Sequence, residues 1–233
     1  MAEAYTVTRR ARFFRRIMRP IFRGIFHILG PVKITGRENV PLRGAYLIAI
    51  NHISLFEAPF ITAFWPVAFE AVGAADIWER PGQSTLVKYY GGIPLHRGVY
   101  DRQVLETLLS VLRSGRPLLI SPEGARSHVP GMRRAEPGIA YLVEKADVPV
   151  VPVGIVGTTD DYLERGLHGK RPSLEMHIGK PFRLPQGVIE GAARREVRQA
   201  NADLIMKHVA ALLPPEYQGV YADPNGLTPQ TNE

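Results

Sequence analysis

Cysteine is absent from this sequence of 233 residues. Its absence excludes disulfide bonds, thiolate metal sites and a cysteine nucleophile, and it is compatible with a reducing cytosol. Long apolar runs are absent as well, whereas a transmembrane helix needs about 20 predominantly apolar residues. The apolar stretch that follows the first arginines is interrupted by Pro20, Arg23, Gly24 and His27. We therefore predict neither a transmembrane helix nor a secretory signal.

Motifs for nucleotides, redox cofactors and metal ions are also missing. The sequence contains no Walker loop, no dinucleotide fingerprint and no residues at metal-ligand spacing. Neither Ser54 nor Ser127 lies in the Gly-x-Ser-x-Gly elbow of serine hydrolases. The sequence therefore predicts an activity that needs no metal ion, no bound cofactor and no covalent serine intermediate.

The net charge of +7 comes mostly from one end of the chain. Seven arginines lie among the first 24 residues, against a single acid, Glu3. A nucleic-acid groove needs basic residues spread over the binding face of the domain, and single strands need an aromatic platform as well. We therefore predict no nucleic-acid partner. The seven residues are Arg9, Arg10, Arg12, Arg15, Arg16, Arg19 and Arg23.

The same basic segment has the apolar periodicity of a helix. Phe13, Ile17, Ile21 and Ile25 recur every four positions, and the arginines fall largely between them. This pattern predicts an amphipathic helix over residues 1–30, which Pro20 is expected to kink or divide. Two interpretations stay open: the helix lies on an anionic membrane surface, or it packs on the domain with a solvated basic face. We favour a peripheral protein at the cytoplasmic face of the cell membrane.

Strands and helices alternate along the rest of the chain, which predicts an α/β fold with a largely parallel, helix-covered sheet. One domain is expected over residues 31–213, followed by a flexible tail over residues 214–233. The predicted strands are 32–36, 45–50, 67–72, 92–96, 117–121, 149–156 and 173–179. The predicted helices are 55–65, 84–90, 99–114, 138–146 and 188–213.

Two short strings carry most of the chemistry. Residues 51–57 (Asn-His-Ile-Ser-Leu-Phe-Glu) and residues 121–127 (Ser-Pro-Glu-Gly-Ala-Arg-Ser) each follow an apolar run. In an open α/β sheet, ligands bind where strands end and loops begin. A histidine beside a carboxylate can take a proton from an alcohol, and an arginine can hold a phosphate through two hydrogen bonds. Together the strings indicate chemistry on a phosphorylated alcohol.

These strings resemble the signature motifs of the glycerolipid acyltransferases of the lysophosphatidic acid acyltransferase type. The first motif of that family is Asn-His-x-Ser-x-x-Asp, and this chain departs from it only at Glu57. The third motif is Pro-Glu-Gly-Thr-Arg-Ser, and here Ala125 replaces the threonine. Residues 91–98 and 148–154 resemble the second and fourth motifs, so that all four occur in the order of the family.

The resemblance implies that residues 31–213 form an acyltransferase domain. Such an enzyme would move a fatty acyl group from acyl-CoA or acyl carrier protein to a lysophospholipid. The favoured acceptor is 1-acylglycerol 3-phosphate, which would give phosphatidic acid. Glycerol 3-phosphate or another lipid alcohol is an alternative acceptor. A catalytically weak lipid-binding protein that keeps the fold is the alternative outside enzymes, supported by the departures at Glu57 and Ala125.

The resemblance also implies a role for each residue of the first motif. His52 would be the general base that takes the proton of the acceptor hydroxyl as that oxygen attacks the acyl thioester directly. Glu57 would orient the imidazole and stabilise its charged form. A competing interpretation of Glu57 is a capping box, in which its side chain reaches back to the backbone of Ser54.

The remaining expected site residues belong to the second and third motifs. Arg97 and Arg126 would hold the phosphate of the acceptor, because guanidinium groups match phosphate oxygens. Glu123 and Gly124 would shape the same loop, with Glu123 bonding the acceptor or orienting an arginine. Ser127, the last residue of the third motif, is also expected to bind substrate.

Overall fold

Short apolar segments form the strands of one central sheet in the computed structural model, which describes residues 5–96, 98, 101–185 and 193–222. The strands are β1 (Val32–Thr35), β2 (Leu47–Ile50), β3 (Glu70–Ala74), β4 (Ile93–Leu95), β5 (Leu118–Ile120), β6 (Val150–Val156) and β7 (Leu174–Ile178). The helices are α1 (Arg9–Leu29), α2 (Glu57–Phe64), α3 (Gln83–Tyr90), α4 (Arg102–Arg113), α5 (Gly138–Ala146), α6 (Tyr162–Leu167), α7 (Ala193–Ala210) and α8 (Pro215–Gln218).

The sheet has the order β1-β7-β6-β2-β5-β3-β4. All neighbouring strands pair in parallel except β6 and β7. Every residue of β2 is buried, as is nearly every residue of β6. Continuous burial of this kind is typical of a parallel sheet with helices on both faces. The predicted α/β class, with its largely parallel and helix-covered sheet, is confirmed.

The sheet separates two apolar cores. Successive residues of a strand point to opposite faces, so that Leu47 joins one core and Ile48 the other. The first core contains buried residues of α4, α5 and α7. The second contains residues of α1 and α2, including Phe26, whose ring lies 5.3 Å from that of Phe60. The helices on both faces therefore fix the sheet, and with it the loops at its edges.

Pro20 does not divide the N-terminal helix, because α1 continues through it from Arg9 to Leu29. A proline inside a helix removes one backbone hydrogen bond. Packing of the inner face of α1 against α2 compensates for that loss, and Thr8 caps the helix by accepting a hydrogen bond from the backbone N–H of Ala11. In the described part of the chain, no helix combines the length and apolar character needed to cross a bilayer.

Four of the seven N-terminal arginines contact the domain. The guanidinium of Arg10 lies 3.6 Å from the ring centre of Tyr89 in α3, and the other three form hydrogen bonds. Arg19 and Arg23 donate to backbone carbonyls at the end of α2 and just beyond it, those of Ala63, Trp65 and Pro66. Such carbonyls lack partners within their own helix. Arg15 forms two hydrogen bonds, of 2.9 and 2.6 Å, with the carboxylate of Glu70. The basicity of the segment is therefore partly structural.

The buried carboxylate of Glu70 lies where β3 begins. It accepts hydrogen bonds from Arg15, from Arg116 at 2.8 Å and from the Tyr5 hydroxyl at 2.9 Å. Burial alone would raise the pKa of Glu70, but the contacts with Arg15 and Arg116 outweigh it and lower that pKa. The cluster therefore joins α1 and the segment before it to the sheet.

The prediction of a flexible tail from Pro214 is wrong for residues 214–222. This segment forms α8 and a short 3-10 helix, and it buries Tyr217 and Tyr221. The Tyr221 hydroxyl donates to Asp203 at 2.8 Å and accepts from the backbone N–H of Ala135 at 2.9 Å. Aromatic burial thus orders a stretch whose prolines and glycines indicated a loose chain. Residues 223–233 lie outside the described residues.

We predict that Tyr221→Phe lowers the free energy of unfolding by about 1–3 kcal/mol, because it leaves the buried Ala135 N–H without an acceptor. Urea unfolding of the purified protein measures the change. Tyr217→Phe is the matched control, because it removes the 3.1 Å acceptor of the Gly157 N–H, and Gly157 is only half-buried. This variant should cost less, since it removes no donor to a buried carboxylate, whereas Tyr221→Phe also removes a donor to Asp203. Wild-type stability of the Tyr221 variant would contradict the role given to this segment.

Candidate active site

The candidate site lies at the carboxyl ends of three neighbouring strands. His52 follows β2, Glu123 follows β5 and Thr158 follows β6, and β2 pairs in parallel with both of the others. Ligands of open α/β sheets bind at this edge. The sheet therefore brings together three chain segments that are far apart in sequence.

Asn51 anchors the loop that carries His52. Its side-chain amide accepts a hydrogen bond from the backbone N–H of Ile155 at 2.8 Å and donates to the carbonyl of the same residue at 2.9 Å. The amide thereby extends the pairing of β2 with β6 by one step beyond the end of β2. Because Asn51 is buried, the loop leaves the sheet at a fixed point.

His52 and Glu57 form a side-chain pair. The distance between His52 Nδ1 and Glu57 Oε2 is 3.1 Å, and the Glu57 side chain is fully buried while that of His52 is 24% exposed. A carboxylate accepts hydrogen bonds, so we assign the proton to Nδ1. Nε2 then keeps its lone pair, and no described residue bonds it. The imidazole is therefore oriented to accept a proton at Nε2.

The second oxygen of Glu57 organises the loop. Oε1 accepts hydrogen bonds from the backbone N–H groups of Ile53 at 3.2 Å and Ser54 at 2.9 Å, and from the Thr158 hydroxyl at 2.7 Å. The contacts expected from pairing with His52 and those expected from capping therefore both occur, one on each oxygen. The Ser54 hydroxyl instead accepts from the backbone N–H of Phe56.

The third motif packs against the first through backbone hydrogen bonds. The N–H groups of Ser127 and His128 donate to the carbonyls of His52 and Ile53, at 2.9 and 3.1 Å. The hydroxyl of Ser127 donates to the carbonyl of Val129 at 2.6 Å. Ser127 therefore contacts the loop of His52 through its backbone, and its hydroxyl, which stabilises its own turn, also lies 3.4 Å from the His52 carbonyl.

Glu123 lies beneath the site. Its two oxygens accept hydrogen bonds from the backbone N–H groups of His52 and Arg133, both at 2.7 Å. Burial raises the pKa of Glu123 to about 8 and the Glu57 carboxylate also raises it, although the two backbone bonds favour the charged form. Both oxygens thus hold backbone groups, whereas the sequence indicated a contact with the acceptor or with an arginine side chain.

Gly124 and Arg126 occupy the surface of the same loop. Gly124 has a φ of +68°, and an added Cβ would lie 3.1 Å from Cγ of Glu136, so a larger residue would be strained there. Arg126 is half-buried and makes no ion pair with any described residue. Its guanidinium is therefore available to an anionic group. Arg97 lies outside the described residues, so its expected role stays a prediction.

A family model described as Acyltransferase matches residues 31–156, more than half of the chain. The chain belongs to this acyltransferase family. It is 27% identical over 175 residues to the lyso-ornithine lipid O-acyltransferase of Pseudomonas aeruginosa, which covers 68% of this chain and 67% of the relative. It is 22% identical over 147 residues to the 1-acyl-sn-glycerol-3-phosphate acyltransferase of Borreliella burgdorferi, covering 62% and 59%. The match thus spans less than two thirds of the second relative.

The fold of this acyltransferase is also that of a solved structure. The 1-acyl-sn-glycerophosphate acyltransferase PlsC from Thermotoga maritima superposes with a TM-score of 0.60 at 22% identity, covering 84% of this chain and 79% of PlsC. The expected resemblance to the glycerolipid acyltransferases, and the expectation of an enzyme, are confirmed. The chain is a PlsC-like acyltransferase.

Sequence analysis missed two parts of the site of this acyltransferase. The hydroxyl of Thr158 contacts Glu57, and His128 pairs with Asp160 through a 2.9 Å contact at the surface. Thr158 follows the fourth motif, but no local pattern connects it with a residue 101 positions earlier. Only the pairing of β2 with β6 brings the two side chains together.

We predict that Glu57→Gln lowers turnover by roughly 100-fold or more while the protein stays folded. The amide oxygen can keep the contacts of Oε1, but the amide nitrogen then faces Nδ1 of His52 and moves the imidazole proton to Nε2. Turnover and the melting midpoint should be measured beside His52→Ala, which removes the base. Glu57→Asp should retain substantial activity. A fully active Gln variant with an unchanged midpoint would leave His52 to act with another partner.

Proposed function

We propose that this acyltransferase moves a fatty acyl group from acyl-CoA or acyl carrier protein to the hydroxyl of a lysophospholipid. The observation that carries the proposal is the His52–Glu57 pair, with Nε2 of His52 left free at the carboxyl edge of the sheet. Nε2 takes the proton of the acceptor hydroxyl while that oxygen attacks the thioester carbonyl. The thiolate leaves as the carbonyl re-forms, and the imidazolium returns its proton to the thiolate sulfur, which gives the free thiol and the neutral imidazole.

The first candidate acceptor is 1-acylglycerol 3-phosphate, and the product is then phosphatidic acid. Arg126 supports it, because a half-buried guanidinium without an ion-pair partner matches a phosphate group. In this proposal Arg97 supplies a second cation, while Gly124 and Ser127 form the loop that receives the headgroup. The name of the Borreliella relative agrees with this acceptor.

The second candidate acceptor is a lyso-ornithine lipid, whose headgroup carries both a carboxylate and an ammonium group. The name of the Pseudomonas relative favours it. So does Glu136, an exposed carboxylate whose Cγ lies against Gly124 in the loop of Arg126. Arg126 would bind the headgroup carboxylate and Glu136 its ammonium group. Glu136 would therefore attract the ammonium group of the ornithine headgroup and repel the phosphate of 1-acylglycerol 3-phosphate.

We predict that the purified protein acylates at least one of the two acceptors from a thioester donor, with the diacylated product identified by mass spectrometry. Both acceptors should be tested with acyl-CoA and with acyl carrier protein. Arg126→Ala should raise the KM of the preferred acceptor by roughly 10- to 100-fold, because a charged hydrogen bond is worth about 1.5–3 kcal/mol.

Two matched variants identify the acceptor. Arg133→Ala is the control for Arg126→Ala, since Arg133 supports Glu123 through its backbone N–H and the variant keeps that bond. Glu136→Gln should impair use of the ornithine acceptor and leave or improve use of the phosphate acceptor. Binding of both acceptors without any transfer would favour the catalytically weak lipid-binding protein instead.

The proposed acceptors are membrane lipids, so the enzyme would act as a peripheral protein at the cytoplasmic face of the cell membrane. The outer face of α1 supports this location. It carries an apolar stripe, which we call the α1 stripe, and its side chains are between 42% and 75% exposed. The exposed residues Arg9, Arg12 and Arg16 can contact anionic headgroups. The α1 stripe consists of Phe13, Ile17, Ile21, Ile25 and Ile28.

We predict that replacing Ile17 and Ile21 together by serine releases the protein from anionic liposomes, measured by co-sedimentation. Point variants test the stripe alone, whereas deletion of α1 would also remove Arg15 from the buried Glu70 carboxylate. Leu167→Ser, at an exposed position on α6, is the matched control and should bind as the wild type does. Binding should also weaken with rising salt. Unchanged binding of the double variant would refute the stripe as the anchor.

A further inference from the structure

Thr158 is a buried hydroxyl that the four motifs leave without a role. It lies two residues beyond the end of β6 and is fully buried. Its hydroxyl donates to Oε1 of Glu57 at 2.7 Å, and this is the shortest of the four contacts that the Glu57 carboxylate makes. The other two donors to Oε1 are backbone N–H groups of the loop that carries His52.

The Thr158 contact comes from a different strand than the other contacts of Glu57. Ile53, Ser54 and His52 all belong to the loop after β2, so they move with that loop. Thr158 instead follows β6, which pairs in parallel with β2 along its first part and antiparallel with β7 along its last part. The side-chain amide of Asn51 also bonds both backbone groups of Ile155, close to the end of β6. A threonine side chain is stiff at χ1, and complete burial leaves it little freedom to turn. The Thr158 hydroxyl can therefore fix the position of Oε1 of Glu57 relative to the sheet.

Glutamate needs such a contact more than aspartate does. Its side chain has one more rotatable bond, so the carboxylate can occupy more orientations relative to His52. The glycerolipid acyltransferases that this chain resembles have aspartate at this position of their first motif. With Oε1 held by three donors, the plane of the Glu57 carboxylate is fixed, and Oε2 faces Nδ1 of His52 at 3.1 Å.

We propose that Thr158 is a positioning residue that enables Glu57 to serve where the first motif of this family has aspartate. Its hydroxyl fixes the longer side chain so that the second carboxylate oxygen orients the imidazole. The inference rests on the proposed role of His52 as general base. It adds a residue from the segment after β6 to the pair formed after β2.

The first test compares two substitutions in the purified enzyme. Thr158→Val keeps the shape and loses the hydroxyl, whereas Thr158→Ser keeps the hydroxyl and loses a methyl group. We expect Thr158→Val to lower kcat by roughly 10- to 100-fold, the scale of a slightly misplaced catalytic group, with KM for both substrates unchanged. Thr158→Ser should retain most of the rate. A merely structural threonine would give the opposite order, because valine fills the same volume.

The second test asks whether the effect of Thr158 on kcat depends on the longer side chain of Glu57. In Glu57→Asp the carboxylate is withdrawn from Thr158, so adding Thr158→Val should lower kcat by a much smaller factor than it does beside glutamate. Unequal factors in the two backgrounds measure the coupling between the residues. Equal factors would overturn the inference.

His52→Ala separates this inference from the proposed function. If His52→Ala retains wild-type turnover, the proposed general base is wrong, whatever Thr158 does. If His52→Ala is inactive but Thr158→Val has a wild-type kcat, the inference about Thr158 alone is overturned. A Thr158→Ser variant as slow as Thr158→Val would overturn it equally, because the hydroxyl would then not be the group that matters.

Discussion

Two buried carboxylates hold the backbone on which His52 is presented. The N–H groups of three consecutive residues donate to them: His52 to Glu123, and Ile53 and Ser54 to Glu57. The carbonyls of His52 and Ile53 accept in turn from the loop of the third motif. Buried backbone groups must find partners, and here those partners fix the backbone around His52. The site therefore depends on side chains whose main contacts are with the main chain.

A third buried carboxylate, that of Glu70, lies at the amino-terminal end of β3 and has different partners. Glu70 is surrounded by two guanidinium groups and a phenol rather than by backbone N–H groups. A buried ion pair adds little net stability, but loss of one partner is costly because a charge stays uncompensated. This makes α1 a part of the domain on its inner face, while the α1 stripe on its outer face stays open to another partner. The inner face of α1 therefore stabilises the fold, and its outer face carries the proposed membrane contact.

Patterns along the sequence predicted the features of the fold that depend on residues close together in the chain. The apolar runs of β2 and β6 identified the central strands, and the order of the motifs placed His52 and Glu123 at one edge of the sheet. The periodicity of α1 identified a helix but not which arginines turn inward, because that depends on carbonyls at the end of α2 and on the Glu70 carboxylate. The contact of Thr158 with Glu57 could not be predicted either, since strand order alone brings them together. Burial of Tyr221 likewise depends on Asp203, which lies in another element.

The two interpretations of Glu57 drawn from the sequence assumed that one side chain performs one task. A carboxylate has two oxygens with separate lone pairs, so it can satisfy backbone donors on one side and an imidazole on the other. In this chain the same residue begins α2 and contacts Nδ1 of His52, and the start of the helix and the orientation of the imidazole are therefore one structural feature. Because Glu57 contacts Nδ1 of His52, we expect a change that moves the first turn of α2 to move the imidazole as well, even if it touches no substrate. For this reason the geometry of the first motif is best understood from the packing of α2 on the sheet.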